Sequence, residues 1–556
     1  MPHVITQSCC SDGSCVFACP VNCIHPTPDE PGFLTAETLH IDPAACVDCG
    51  ACVHACPVDA IAPDSKLTAE QLPFLEINAS FFPKGSRKAW FSPMLAPIPE
   101  APRLRPRRTP LRVAVVGSGP AGMYAADELL TQAGVEVNVF DKLPTPYGLV
   151  RAGVAPDHQR TKHIAKLFDQ IADQKGFAFY LNVEVGRDIT HEELLRHHHA
   201  VVYAVGACSD RRLNIPGEEL PGSFTATEFV AWANAHPEQA ELPVQLDHER
   251  AVIVGNGNVA LDVARILTMD PRALAATDIS SAALAALRTS SVREVVLVGR
   301  RGPEFSAFTM PELIGLTNSA QVVLDPPARA LVRQALASAE DPVRTEKLGL
   351  LATLATRPSG SGRHIRLRYR LTPVRVVGQD RVERVEFSAT NTAFAADSDE
   401  AERSPEPTSM AAGLFVTSIG YRALPVRDLP FDESAAVVPN KDGRVVEPGT
   451  GEAKPGAYVV GWIKRGPSGF IGTNKSCSRE TVRALVDDYN NGLLPDPPER
   501  PSQLEKLVRA RQPETVNRQG WHKIDAAEIA RGRAADRVRD KFSTTAQMLA
   551  AANARP

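Results

Sequence analysis

The run Cys46-x-x-Cys49-x-x-Cys52-x-x-x-Cys56-Pro57 constrains this chain more than any other feature. Gaps of two residues let one loop close three thiolates around a single iron–sulfur cubane, while the proline ends the loop and the fourth thiolate is carried off to another cluster. A remote cysteine must then complete the first cluster, and Cys15-x-x-x-Cys19-Pro20 repeats the end of the run. Cys19 is therefore expected to join Cys46, Cys49 and Cys52, and Cys56 to join Cys15 and one of Cys9 or Cys10. Nine of the eleven cysteines fall between Cys9 and Cys56, with only Cys208 and Cys477 beyond, so the thiols form one local device. Zinc sites and disulfides compete for such a cluster of thiols, but two Cys-Pro endings and this density favour iron and sulfur.

The module resembles the bacterial ferredoxins. The spacing ahead of Cys15 is most similar to the seven-iron type, which holds one [3Fe-4S] and one [4Fe-4S] cluster, although there the first cysteine normally lies farther from the second. The resemblance implies Cys9 as the ligand beside Cys15 and Cys56, with Cys23 spare; a second [4Fe-4S] cluster using both Cys9 and Cys10 is the alternative. Residues 1–83 carry one lysine, Lys66, and no arginine, against acids that include Asp12, Asp29, Glu30, Asp42 and Asp48. An acidic module of 1–83 is thus followed by a proline-rich stretch, 84–110, holding Lys84, Arg87, Lys88, Arg103, Arg105, Arg107 and Arg108, which reads as a semi-extended basic connector.

At Leu111 the pattern changes. The apolar run Arg112-Val113-Ala114-Val115-Val116 leads into Gly117-Ser118-Gly119-Pro120-Ala121-Gly122 and then a helix-forming stretch. A G-x-G-x-x-G turn between strand and helix lays a dinucleotide's phosphates over the helix N-terminus, and an acid closing the next strand, here Asp141, suits ribose hydroxyls. The pattern returns as Ala251–Val254 followed by Gly255-Asn256-Gly257-Asn258. Its next strand ends at Arg300 and Arg301 with no acid, and paired guanidiniums match a 2′-phosphate, so NADP is expected over NAD.

The segment Pro146-Tyr147-Gly148-Leu149-Val150-Arg151-Ala152-Gly153-Val154-Ala155-Pro156-Asp157-His158 closely resembles the signature of adrenodoxin-reductase-like ferredoxin–NADP reductases. Similarity continues through Asn182–Gly186, Ile215–Glu219 and Gly461–Pro467, covering nearly all of 111–490. The resemblance implies a multidomain protein: an α+β ferredoxin-like iron–sulfur domain, then an α/β reductase with two Rossmann-type dinucleotide-binding domains. The expected divisions are 111–210 and 416–490 for FAD, 211–415 for NADP, and a helical extension over 491–556. It further implies cofactor contacts at Leu149, Val185, Glu312, Trp462, Gly469, Phe470 and Ile471, and places His158 and Asp262 near the flavin as catalytic or proton-linked groups.

The implied activity carries electrons from NADPH through FAD to the chain's own two clusters, and to an external ferredoxin or haem protein. An electron-feeding subunit of a larger oxidoreductase of the glutamate-synthase type is the alternative. A net charge of −4 with 23% charged residues gives nucleic acid no footing. No apolar run reaches the roughly 18 residues of a membrane span, and a cytoplasmic location is expected. Segments 340–364 and 393–412, rich in small and charged residues without clear period, are expected to be surface loops.

Overall fold

Leu111–Val116 is buried at every position, which only a strand covered on both faces can be, and such strands belong to parallel sheets flanked by helices. The computed structural model describes residues 2–82, 95–98, 103–106, 109–356, 362–390 and 408–554, and within them two such sheets form. In the first, Ala453–Val459, Ala200–Tyr203, Leu111–Val116, Val135–Asp141 and Phe177–Leu181 lie side by side in that order, all parallel. Two short antiparallel strands, Arg444–Val446 and Asn440–Lys441, extend its edge. The second sheet is parallel throughout, in the order Ser223–Thr225, Leu414–Thr417, Arg250–Val254, Glu294–Gly299, His364–Tyr369, Gln321–Leu324. The chain thus leaves the first sheet after Tyr203, builds the second, and returns. Each sheet's central strand runs into a glycine turn, so both turns sit at the carboxyl ends of their strands, where open α/β sheets bind ligands.

Ahead of these sheets, His3–Ile5 pairs antiparallel with Ile61–Pro63, and Ile24–His25 with His40–Ile41. Between them stand two five-residue helices, Ser14–Ala18 and Ala51–Ala55, each entered through a left-handed glycine and ended by an extended cysteine before proline. The small core here sets the buried thiols of Cys15, Cys19, Cys23 and Cys52 among Ile5, Val16, Ile24, Phe33, Leu39, Ile41 and Ile61. Of the expected connector only 95–98, 103–106 and 109–110 are described. Leu104 and Arg105 donate their backbone N–H groups to Gln132 and Asn490 at 3.0 and 2.8 Å, tying that stretch to the first sheet's helices.

Two expectations about loops are overturned. Pro342–Ala355, inside the segment 340–364, is a 14-residue helix whose N-cap, Asp341, accepts the N–H of Arg344 at 2.7 Å. Leu348, Leu351 and Leu354 bury one face of its second half, a period too short to stand out after the charged Arg344, Glu346 and Lys347. Within 393–412, Thr408–Ala411 is a strand paired with Arg384–Ala389, while 391–407 lie outside the described residues.

The C-terminal stretch forms helices at Pro501–Arg511, Arg518–Ala534 and Thr545–Asn553. Its anchor is Glu528, fully buried, which accepts from Arg151 at 3.0 Å and Arg539 at 2.9 Å. Against the burial that opposes its charge, Arg151 and Arg539 hold this carboxyl below its ordinary range. Removing one member of a buried pair strands the other charge. Glu528→Ala is expected to destabilise by about 3–5 kcal/mol, read as a lower denaturant midpoint and melting temperature against the wild type.

Candidate functional site

The thiols converge in two groups. Cys19, Cys46, Cys49 and Cys52 line one concave site, together with Cys23 and the apolar Val21, Ile24, Ile41 and Val47. Donor set and shape fit an iron–sulfur cluster, with hydrophobic walls that exclude water from its sulfurs. Cys23 is inside this pocket, its Sγ 3.4 Å from that of Cys19. Hydrogen bonds from the Cys23 thiol and from nearby backbone N–H groups push the Cys19 thiol down to about 5, while Cys23 is pushed up by the same contact.

The second group joins Cys15 and Cys56 to Cys9 and Cys10. Burial raises the Cys15 thiol, and Asp12, Cys9 and Cys56 beside it add to the rise. A feature that the cysteine spacing alone concealed explains the geometry: an internal repeat. A shift of 37 residues carries Cys9, Gly13, Cys15, Cys19-Pro20 and Ile24 onto Cys46, Gly50, Cys52, Cys56-Pro57 and Ile61. The backbone repeats with it, left-handed at Ser11 and Asp48 (φ 56° each) and at Gly13 and Gly50 (72° and 75°). Even the N–H···S bonds recur, from Cys23 to Cys19 at 3.4 Å and from Ala60 to Cys56 at 3.3 Å. Under this repeat Asp12 stands where the other half has Cys49, and Cys10 corresponds to Val47. Asp12 is the residue that cysteine counting missed.

At the first glycine turn Gly117 holds φ 103°, and a β-carbon there would meet the carbonyl of Ala204. Asp141 braces the turn, accepting from the backbone N–H of Ser118 at 2.9 Å and from its hydroxyl at 2.5 Å. Gly119 leaves open space in front of the helix Pro120–Leu130; Ala121 and Gly122 follow inside it. Over this turn folds the returning chain: Gly461 packs on the β-carbon of Ala121, and Ser478 donates to the Ala121 carbonyl at 2.9 Å. Trp462 lies on Tyr421 with ring centroids 5.1 Å apart and donates its indole N–H to Ser468 at 3.1 Å, leading into Gly469, Phe470 and Ile471. Leu149 opens a short helix after Gly148, which touches Gly119. Val185 packs on the same apolar cluster as Trp462.

At the second turn Gly255 repeats the device, with φ 119° and a β-carbon that would strike Ser418. Gly257 precedes the helix Asn258–Thr268 with open space around it. Asn256 lies against Gly299, and Asn258 accepts the N–H of Thr309 at 2.8 Å. Arg300 and Arg301 are exposed, the latter lying 4.9 Å over the Phe305 ring.

Where the segment Asp157-His158 meets the helix Asn258–Thr268 sits a half-buried charge cluster. Arg265, 3% exposed, contacts Asp157, donates to Asp262 at 2.6 Å and lies 3.8 Å from Glu312. His158, Asp262 and Glu312 each bring one polar atom within 4.8 Å of the other two. Against its burial, Asp157 and Asp262 hold the Arg265 guanidinium charged; burial pushes the Asp262 carboxyl up, with Arg265 opposing.

The cysteine module is seated on both turns' surroundings. Gly472 donates its N–H to the Cys10 carbonyl at 2.8 Å and Lys475 to the Ser14 hydroxyl at 3.1 Å. Glu37 accepts from Lys347 at 2.8 Å and from the N–H of Met310 at 2.6 Å, and Asp59 pairs with His163 at 2.9 Å. No described helix is long and apolar enough to cross a membrane.

Residues 111–302 match the pyridine nucleotide-disulphide oxidoreductase family and residues 8–60 the 4Fe-4S dicluster domain. The chain is 63% identical over its whole length to the "Probable ferredoxin/ferredoxin–NADP reductase" of Mycobacterium tuberculosis, covering 96% of that protein. It is 40% identical to human mitochondrial "NADPH:adrenodoxin oxidoreductase" over 80% of this chain and 92% of that protein. Among solved structures, Mycobacterium tuberculosis FprA in complex with NADPH matches 80% of this chain and 100% of its own, at 40% identity and a TM-score of 0.75.

The two thiols of the first pocket that differ in role should differ on removal. Cys52→Ala is expected to abolish one cluster's signal, and Cys23→Ala to leave both sets intact, as read by iron content and low-temperature electron paramagnetic resonance.

Proposed function

The chain belongs to the ferredoxin/ferredoxin–NADP reductase family, and on that premise we propose that it moves electrons from NADPH through FAD to two iron–sulfur clusters held by residues 1–83, and from them to a ferredoxin or haem-protein acceptor. Residues 111–210 and 416–490 form a Rossmann-type FAD domain, 211–415 a Rossmann-type NADP domain, 84–110 the connector and 491–556 the helical extension. FAD held in its domain would supply the conversion of a two-electron hydride donor into single-electron transfer, and the protein orientation, insulation and charge.

One observation carries the order of the relay. The backbone bond from Gly472 to Cys10 joins the cysteine loop to the segment that follows Gly469, Phe470 and Ile471, so the group of Cys9, Cys15 and Cys56 is the one nearest the flavin. The group of Cys19, Cys46, Cys49 and Cys52 is farther along and reaches the surface, where Val47 and Cys49 are exposed. It is the exit to an outside acceptor. Asp12 in the place of a fourth cysteine supports a [3Fe-4S] cluster in the near group with Cys9 as ligand, and four thiolates support [4Fe-4S] in the far group. Iron analysis is expected to return about seven irons per chain; about eight would replace the near cluster with a cubane.

Gly117, Gly119, Ala121, Gly122, Asp141, Leu149 and Val185 hold FAD, closed over by Trp462 and Gly469–Ile471. Gly255, Asn256, Gly257 and Asn258 hold the NADP pyrophosphate, Arg300 and Arg301 its 2′-phosphate, and Glu312 the nicotinamide side. His158 and Asp262, set in the charge cluster around Arg265, are the proton-linked groups. Both arginines are free of carboxylate partners among the described residues, which keeps their guanidiniums available to the dianion. Replacing both with alanine is expected to lower kcat/KM for NADPH by about 10- to 100-fold and to change that for NADH far less; equal losses would remove the phosphate role.

A further inference from the structure

Gln7 stands two residues ahead of Cys9, in the ferredoxin unit, yet its side-chain amide donates to Oε2 of Glu312 at 3.2 Å across 305 residues of chain. The helix that carries Glu312, Met310–Ser319, is fitted to the ferredoxin unit at several points. Glu37 accepts the N–H of Met310 at 2.6 Å and is held there by Lys347. Val4, Phe74 and Ile77 pack on Met310 and Ile314. Gly315 has no side chain where the Gln7 amide lies, and a β-carbon there would occupy the amide's own space. The nearest approaches to the Glu312 carboxylate from Gln7, His158 and Arg265 (3.2, 3.7 and 3.8 Å) all fall on Oε2. Oε1 is therefore the oxygen turned away from all three.

We infer that Gln7 is a positioning residue for the nicotinamide half of the NADPH site: by tying Oε2 of Glu312 to the ferredoxin unit, it presents Oε1 to the amide of the nicotinamide ring. The ferredoxin unit is then part of the hydride-donor site as well as the electron acceptor. This rests on Glu312 being a nicotinamide-side residue. A carboxylate held by one directional hydrogen bond keeps its plane, whereas one left with the offset contacts of His158 at 3.7 Å and Arg265 at 3.8 Å, both beyond hydrogen-bond length, is free to turn. Leucine at position 7 keeps the volume of the side chain and removes the donor.

The test uses the full holoprotein. Gln7→Leu is expected to raise Kd for NADP⁺, measured by calorimetry, and to slow flavin bleaching by NADPH in anaerobic stopped flow, each on the order of tenfold. Cluster reduction by photoreduced flavin should keep its rate. Gly315→Ala, which fills the amide's space while Gln7 remains, should reproduce both losses. Asn318→Ala, which cuts the bond from the same helix to Glu70 at 3.2 Å without touching Glu312, should leave binding and bleaching unchanged. If Asn318→Ala causes the same losses, or if Gln7→Leu slows the flavin-to-cluster step equally, Gln7 is a docking contact alone and the inference is overturned. If Glu312→Gln weakens NADP⁺ binding but Gln7→Leu does not, the inference falls and the role of Glu312 stands. If Glu312→Gln itself changes nothing, the assignment beneath both is wrong.

Discussion

A unit of about 80 residues with a small core shared between thiols and a few aliphatic side chains cannot bury enough apolar surface to be stable unaided, and small folds of this kind depend on metal cross-links and on neighbours. The support of neighbours determines the rest of the architecture. Cys10, Val58 and Ala60 enter the same apolar core as Tyr124 and Leu485 of the first sheet's helices, while Val4, Phe74 and Ile77 close on Met310 and Ile314 of the second unit. The ferredoxin unit is thus wedged against helices of both sheets. The same burial covers the loop that carries Cys9 and Cys10.

Charge fixes what the apolar contacts leave loose. The C-terminal helices reach across both sheets: Glu528 pins Arg151 beside the first, and Lys541 shares buried Asp278 with Lys162 beside the second. Against its burial, the two ammonium groups hold the Asp278 carboxyl below its ordinary range. Each such pair is expensive to desolvate and stabilises only when intact, so these contacts specify one arrangement of the two units more than they add to stability. The charge cluster around Arg265 follows the same logic with the opposite balance: one guanidinium faces three carboxylates, Asp157, Asp262 and Glu312.

Much of this was legible in the sequence because it is written in short, fixed spacings. The Cys-x-x-Cys run, the two glycine turns with their apolar strands, Asp141 and the arginine pair each need only neighbours within about 30 residues, and the pairing of Cys19 with the far group follows from where proline ends a loop. Where sequence reading failed, the periodic signal was diluted or altered by one substitution. Pro342–Ala355 looked irregular because its buried leucines, Leu348, Leu351 and Leu354, fall only in its second half, after the charged Arg344, Glu346 and Lys347, although Asp341-Pro342 is a sound helix start. The 37-residue repeat went unseen because Asp12 replaces the cysteine that would have announced it.

The sequence by itself determined the cofactor chemistry: thiol spacing, glycine turns and paired guanidiniums are local geometry, set by bond lengths and loop closure. Only the tertiary structure decided how those parts face one another. That Cys10 meets Gly472, that Arg265 gathers Asp157, Asp262 and Glu312, and that Gln7 reaches Glu312 depend on which apolar faces close on which. Such contacts join residues hundreds of positions apart, and nothing local in their spacing encodes them, because the energy that brings them together is spread over the whole buried interface.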